Sequence, residues 1–379
     1  MLKQMLLKEC ENQRGLATKL AKIAGYQNAG GFKRMLEKPD DKDIEKLDGL
    51  LKAAKTIYED NFESLLIDFA KTLNPNTLTS RLLLEYATVY RIHPLKSMLI
   101  ESLKSADNKE SNEWAFVYEI DHKIETGEIG LLEGVQLLNS KSYISYAMKV
   151  YSQIAQFYCY YDMRNVPMLN VISKELEHML GKIANPFLKS SYFARYYLIK
   201  IDINLHNNRI GNLLEDLFLI EDSLDPIKTY VYLQAGNATM MKSYDKSKMY
   251  FEKALECKTG NSEKEIKKSL NFLNLLWDKP EKYILDEDRD LSNELFFYIK
   301  TGNKKQAIKT LGEIEFDKLT DHQKGFNMYY QGLLFNDMEM FYKSVEYFNV
   351  SGEKFYKQLP INELRRMGEK EFRLSALSA

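Results

Sequence analysis

Proline occurs only eight times in 379 residues, and its placement constrains the fold more than any other feature. Pro75, Pro94, Pro167, Pro186, Pro226, Pro280 and Pro360 stand at intervals, commonly beside Asn or Asp, where the ring marks turns between helices. Away from them apolar residues recur at helical spacing, as in Ile44, Leu47, Leu51, Ala54 and Tyr58. With 45% hydrophobic residues and 18 glycines, the composition argues against disorder and against a loop-rich β protein, and the fold class read from it is all-α. The chain is too long for one ordinary core and suits two globular domains, or one domain followed by an extended array.

A formal net charge of -1 conceals an uneven distribution. Up to residue 38, Lys3, Lys8, Arg14, Lys19, Lys22, Lys33, Arg34 and Lys38 stand against only Glu9, Glu11 and Glu37, a surplus of five positive charges. The rest of the chain is mildly acidic. Such a distribution suits a protein that meets a polyanion only through its first segment.

Within that segment Leu2, Met5, Leu6 and Cys10 define one amphipathic helix, and Leu16, Leu20, Ile23 and Ala24 a second. Gly25 supplies a turn, and Phe32, Met35 and Leu36 form the apolar stripe of a third helix before Pro39. Helix, glycine-containing turn, helix is the arrangement used to read DNA. At 100° per residue the stripe turns Gly30, Arg34, Glu37 and Lys38 outward, with Lys33 on the flank. Arg34 is the expected base reader, Lys33 and Lys38 are expected phosphate contacts, and Gln27 and Asn28 could read adenine or orient a phosphate. Gly30 and Gly31 cost about 1 kcal/mol each in a helix, which admits two readings. One is close backbone approach to DNA; the other is an irregular turn that delays the helix until Phe32. A three-helix cap with a solvated basic face is the plainer alternative for the whole segment.

The body carries weak self-similarity of the tetratricopeptide kind. Ala235, Ala238, Ser247, Phe251 and Ala254 form one set, and Gly332, Phe335, Ser344, Phe348 and Ser351 another at the same offsets, with Tyr298, Ala307, Leu311 and Ile314 between. Small residues let paired helices approach while aromatics fill the seams, giving a solenoid with a concave surface that suits an extended peptide or a partner helix. Most of the 25 Tyr and 19 Phe are expected in those seams. Candidate groove residues are Asp202, His206, Lys228, Tyr232, Asn237, Asn293, Asn327 and Tyr329, for each of which a solvated helix face is the alternative.

Walker-type, HExxH and GxSxG motifs are absent, so no enzyme activity and no cofactor is expected. His93, His122, His178, His206 and His322 are scattered, and no metal site is read from them. Cys10, Cys159 and Cys257, odd in number and widely spaced, read as reduced core thiols. No signal peptide or membrane span is apparent, and a cytoplasmic location is expected.

LATKLAKIAGYQNAGGF near the start, LLEYA at 83–87, Gly236-Asn237, FLNLLW at 272–277 and the terminal SVEYFNVSGEKFYKQLPINELRRMGE together resemble the arbitrium peptide receptors (AimR) of temperate phages infecting Bacillus. The resemblance covers essentially the whole chain. It implies a homodimer that binds a double-stranded DNA operator, activates a nearby gene and is inactivated by a peptide of about six residues, setting the lysis-lysogeny decision. It also implies that Asn237 holds the peptide backbone, and it makes Asp202 a plausible partner for a peptide arginine. Leu364, Met367, Phe372 and Leu374 belong to a C-terminal helix that caps the array and could also meet its copy across a two-fold axis. The expected organisation is a helix-turn-helix domain at 1–65, a tetratricopeptide-like domain at 66–355 and a capping or dimerisation helix at 356–379. The competing functional reading is a peptide-regulated protein-interaction module that does not bind DNA.

Overall fold

A computed structural model describes residues 2–39, 42–209, 213–221, 223–257, 262–284 and 289–378. All regular structure among them is helical, in line with the helical spacing of apolar residues. The chain divides into two compact units, one of residues 1–196 with 222–224, the other of 197–221 with 225–379.

The first unit opens with α1 (Leu2–Asn12), α2 (Leu16–Ile23), α3 (Ala29–Glu37), α4 (Leu47–Ile57) and α5 (Phe62–Ala70). Most residues expected to form the three stripes do so: Leu2, Leu6, Cys10, Leu16, Leu20, Ala24, Phe32, Met35 and Leu36 are buried, while Met5 and Ile23 are half-buried at the edges. Gly25 has φ +71°, a conformation costly for residues with a side chain, and it turns α2 toward α3. A Cβ on Gly49 would lie 2.3 Å from the Ala24 carbonyl oxygen, so only glycine lets α4 approach the end of α2 this closely. Lys3 is buried, and its ammonium donates to the carbonyls of Lys38 and Pro39 just beyond α3. One of the eight early cations is therefore part of the core, where it satisfies carbonyls left over at a helix end.

Further along lie α6 (Leu78–Val89), α7 (His93–Lys104), α8 (Lys109–Glu125), α9 (Leu131–Asn139), α10 (Tyr146–Asp162) and α11 (Val166–Gly181). Next comes α12 (Pro186–His206), which contributes residues to both units. In the first unit the fully buried Glu85 carboxylate accepts from Tyr118 Oη at 2.8 Å, from the Ser191 hydroxyl, and from Arg195 Nε and Nη2 at 3.1 and 3.2 Å. The rings of Trp114, Tyr118, Tyr151 and Tyr192 follow one another at centroid spacings of 5.3, 4.3 and 5.3 Å. These aromatics fill seams, as expected.

The second unit contains the 3₁₀ segment Leu213–Ile220, α13 (Asp225–Thr239), α14 (Tyr244–Glu256), α15 (Ser262–Leu276), α16 (Leu291–Lys300) and α17 (Lys304–Glu313). It ends with α18 (Asp321–Phe335), α19 (Met338–Val350), α20 (Gln358–Arg366) and α21 (Glu371–Ser378). The two matching residue sets fall on the pairs α13/α14 and α18/α19. In the first, the Ser247 hydroxyl donates to the Gly236 carbonyl at 2.8 Å, and a Cβ on Gly236 would sit 2.4 Å from the Phe251 ring. In the second, Ser344 donates to Gly325 at 2.7 Å, and Phe348 and Phe341 press on Gly325 and Gly332. The same serine-phenylalanine pair thus meets a glycine in both, but two turns further from Gly332 in the second. Ser247 is the fourth residue of α14 and Ser344 the seventh of α19, so Ser344 lies about one turn further from its connection than Ser247 does.

The three thiols are unpaired, and burial raises the pKa of each, that of Cys159 to about 11. At neutral pH they are protonated, as core thiols should be. Among the described residues no helix is long and apolar enough to cross a membrane.

Candidate functional site

Two surfaces gather the candidate residues, one in each unit. On the first, Asn28 is the N-cap of α3, and its side-chain oxygen accepts from Gly31 N at 2.8 Å. Of the two readings left open for Gly30 and Gly31, the delayed helix does not hold: α3 begins at Ala29, with both glycines in its first turn. A good N-cap contributes about 1 kcal/mol, enough to offset much of the glycine cost. Asn28 is thus engaged in folding, and its amide nitrogen is what it has left for a partner. Neither glycine is enforced from within, because neither has positive φ and the nearest foreign atom to an added Cβ is 3.4 Å away at Gly30 and 3.6 Å at Gly31.

Gln27, Gly30, Arg34 and Lys38 are exposed and Lys33 is half-buried, the arrangement that 100° per residue required. Arg34 makes one long contact, Nε to the Gly30 carbonyl at 3.4 Å, so its guanidinium keeps most of its donors for another molecule. Beside it lies a cleft of about 240 Å³ that also receives Lys38, Lys42, Asp43 and Glu45. Lys42 was not singled out from the sequence, since it follows Pro39 and belongs to no helical stripe.

On the second unit, α12 presents Asp202 and His206 one turn apart, and α13 presents Gln234 and Asn237 on one face. His206 Nδ1 lies 2.9 Å from the Asp202 carbonyl oxygen and 3.3 Å from Asp202 Oδ2. Its Nε2 is 3.5 Å from Oε2 of Glu353, a carboxylate 1% exposed whose other oxygen accepts from Phe355 N and Tyr356 N. The bond to Asp202, then the nearby charges, raise the His206 pKa to about 9 despite burial. Burial raises the Glu353 pKa, and burial together with charged His206 lowers that of His322, whose Nδ1 is 3.9 Å from Glu353. Gln234 Nε2 donates to Asp202 Oδ1 at 3.2 Å, and Asn237 Nδ2 donates to Gln234 Oε1 at 3.3 Å. That relay ends at Asn237 Oδ1, a buried oxygen with no hydrogen-bond donor among the described residues.

The eight groove candidates do not all converge. Asp202, His206 and Asn237 belong to this relay. Lys228 and Tyr232 lie roughly opposite Gln234 and Asn237 around α13. Lys228 pairs with Asp225 at 3.3 Å and the Glu221 carbonyl at 3.3 Å, while Tyr232 is buried beneath the Lys253 ammonium. Asn293, Asn327 and Tyr329 are buried: Asn293 reaches the Lys268 carbonyl at 3.4 Å, Asn327 accepts from Gln331 at 2.7 Å, and Tyr329 packs against Phe296 and Phe341. Gln234 and Glu353 were missed from the sequence. Gln234, three residues before Asn237, could have been found by extending that face of the helix, whereas Glu353 sits in the connection after α19 and carries no periodic signal.

At the C-terminus Leu364 and Leu374 are fully buried, Met367 is half-buried and Phe372 is 68% exposed. The first two pack inside the chain, and Phe372 is among the exposed large apolar side chains.

A family model described as "AimR transcriptional regulator-like" matches residues 63–366. The AimR transcriptional regulator of Bacillus phage phi3T is 30% identical over 370 residues, 96% of this chain and 97% of that protein. A solved structure of selenomethionine-containing phAimR superposes with TM-score 0.91 at 30% identity, covering all of both chains. A second, of phAimR with a ligand, gives TM-score 0.64 at 28% identity over 88% of this chain and all of that one. With a match over most of its length and these likenesses across nearly all of it, the chain belongs to the AimR transcriptional regulator-like family, a class of regulators and not of enzymes.

Proposed function

We propose that this chain is a DNA-binding transcription regulator whose grip on an operator is set by a short peptide, acting as activator without the peptide in a phage lysis-lysogeny decision. In this reading residues 1–65 hold the DNA, residues 66–355 hold the peptide and residues 356–379 cap the array and join two copies. The observation that carries it is the outer face of α3. Gln27, Gly30, Arg34 and Lys38 are exposed beyond a buried Phe32-Met35-Leu36 stripe, and the first-turn glycines have no packing reason of their own. A glycine at a helix N-terminus lets phosphate oxygens come close to the backbone amides.

The peptide assignment rests on the relay from Asp202 to Asn237. Asn237 Oδ1, lacking a donor, suits a backbone N–H of an extended peptide. Asp202, as a partner for a peptide arginine, would share its carboxylate between the guanidinium and His206 and Gln234, so such binding bears directly on the relay. A peptide that prefers one arrangement shifts the population toward it, whereas equal affinity for both would shift nothing.

The test is operator binding by the full chain across a salt series, with and without a panel of hexapeptides. The reading predicts affinity that falls steeply with salt, Arg34→Ala that relaxes sequence preference, and one peptide that abolishes binding while Asn237→Ala resists it. Capture of a protein target with no DNA binding would replace this reading by the interaction-module alternative.

A further inference from the structure

Twenty-nine residues separate His93 from His122 in sequence, yet the fold brings them together. α7 and α8 pack against each other, with residues 105–108 joining them, so the start of α7 meets the end of α8. The two imidazoles have ring centroids 5.8 Å apart, and Glu125 follows His122 by three residues on the same face. One donor atom from each of His93, His122 and Glu125 lies within 4.8 Å of the others.

We propose that these three side chains bind a divalent transition-metal ion of the zinc class and so tie α7 to α8. Two imidazoles and one carboxylate form a borderline donor set that suits zinc far better than magnesium or calcium, which take oxygen ligands. His122 Nδ1 is enclosed by protein and has no hydrogen-bond partner among the described residues, its nearest carboxylate oxygen, Glu125 Oε2, standing 3.8 Å away. That separation is beyond hydrogen-bond range, and an enclosed ring nitrogen without a partner is costly.

A supporting shell is also present. The buried Lys96 ammonium holds Glu125 Oε2 at 3.0 Å and Asp121 Oδ2 at 3.0 Å, which orients the Glu125 carboxylate and leaves Oε1 for a metal. One ammonium against two carboxylates leaves the neighbourhood with one net negative charge, favourable to a dication. The helix ends oppose each other here: the last turn of α8 attracts a cation, while the first turn of α7 repels one, and the two effects roughly cancel. Bonds of about 2.0–2.1 Å place tetrahedral ligands about 3.4 Å apart, so the donors must close by about 1.4 Å. Exposed His93 can supply most of that movement by side-chain rotation, while Glu125 stays held by Lys96. With three protein ligands, water completes the tetrahedron.

The test uses the untagged full-length chain, stripped with EDTA and titrated with zinc chloride by calorimetry. One saturating equivalent is expected, with zinc raising the melting temperature. Cobalt chloride should give the visible absorption of a four-coordinate ion. His122→Ala and His93→Gln should each weaken zinc binding at least tenfold and remove the thermal shift, while His178→Ala, on the exposed face of α11, should leave both unchanged. Since His93 is exposed, His93→Gln keeps the outcome readable if His122→Ala folds poorly. Zinc binding in His93→Gln equal to that of the parent, or no saturable binding at micromolar zinc, would overturn the proposal.

Discussion

At the residue scale, Gly30 and His206 show how one side chain divides between folding and function. Gly30 has room for a methyl group and sits in the first turn of a helix. Gly30→Ala is therefore expected to leave stability unchanged or raise it by about 0.5 kcal/mol while weakening operator binding several-fold. Denaturant melts beside a DNA titration check both, and unweakened binding would remove the close-approach argument. His206 faces Asp202, Glu353 and His322, and its folded pKa of about 9 lies above the ordinary 6.5. Because the folded value is the higher, its stabilising effect is complete below about pH 6.5 and is lost as pH rises through about 9. The ring is 44% exposed, so solvent screening holds the effect to about 1 kcal/mol. His206→Ala should cost that much at pH 6 and little at pH 10, as measured by urea unfolding at both values. The outward row on α3 was legible from periodicity, because 100° per residue fixes direction. The start of α3 at Ala29 was not, because the local hydrogen bond from Gly31 N to the Asn28 side chain competes with the glycine penalty and wins.

At the element scale, the helix pairs were legible as repeated small and aromatic residues, but the partners of those residues were not. Sequence offsets align Ser247 with Ser344 and Phe251 with Phe348, whereas the glycine each pair touches, Gly236 or Gly325, depends on how the two helices of the pair are seated on each other. Gly236 and Gly312 turn this into a paired prediction. Phe251 occupies the space of a Cβ at Gly236, while Gly312 in α17 has open space around it. Gly236→Ala should destabilise by about 2 kcal/mol through overpacking, and Gly312→Ala should stabilise by about 0.5 kcal/mol. Thermal unfolding of the two variants beside the parent measures the contrast; equal shifts would mean that the seam is looser than this packing implies.

At the scale of the whole molecule, the proposed contact between two copies is tested at Phe372, which is 68% exposed. Leu364 and Leu374 are buried, so Phe372→Ser is expected to leave the fold intact and shift the proposed dimer toward monomer, whereas Leu364→Ser should unfold the C-terminal helices. Light scattering with circular dichroism separates these outcomes, and an unaltered dimer in Phe372→Ser would move the interface elsewhere. The sequence by itself determined the helical class, the basic first segment, the outward face of α3 and the family resemblance, all of which follow from short-range periodicity, local charge and contiguous motifs. Only the tertiary structure decided which polar residues meet. It joined Asp202 and His206 to Gln234, Asn237 and Glu353, turned Lys228 and Tyr232 away from them, buried Asn293, Asn327 and Tyr329, and drew His93 to His122. Those outcomes depend on which helix packs on which and at what depth, and a one-dimensional pattern with connections of unequal length does not encode that depth locally.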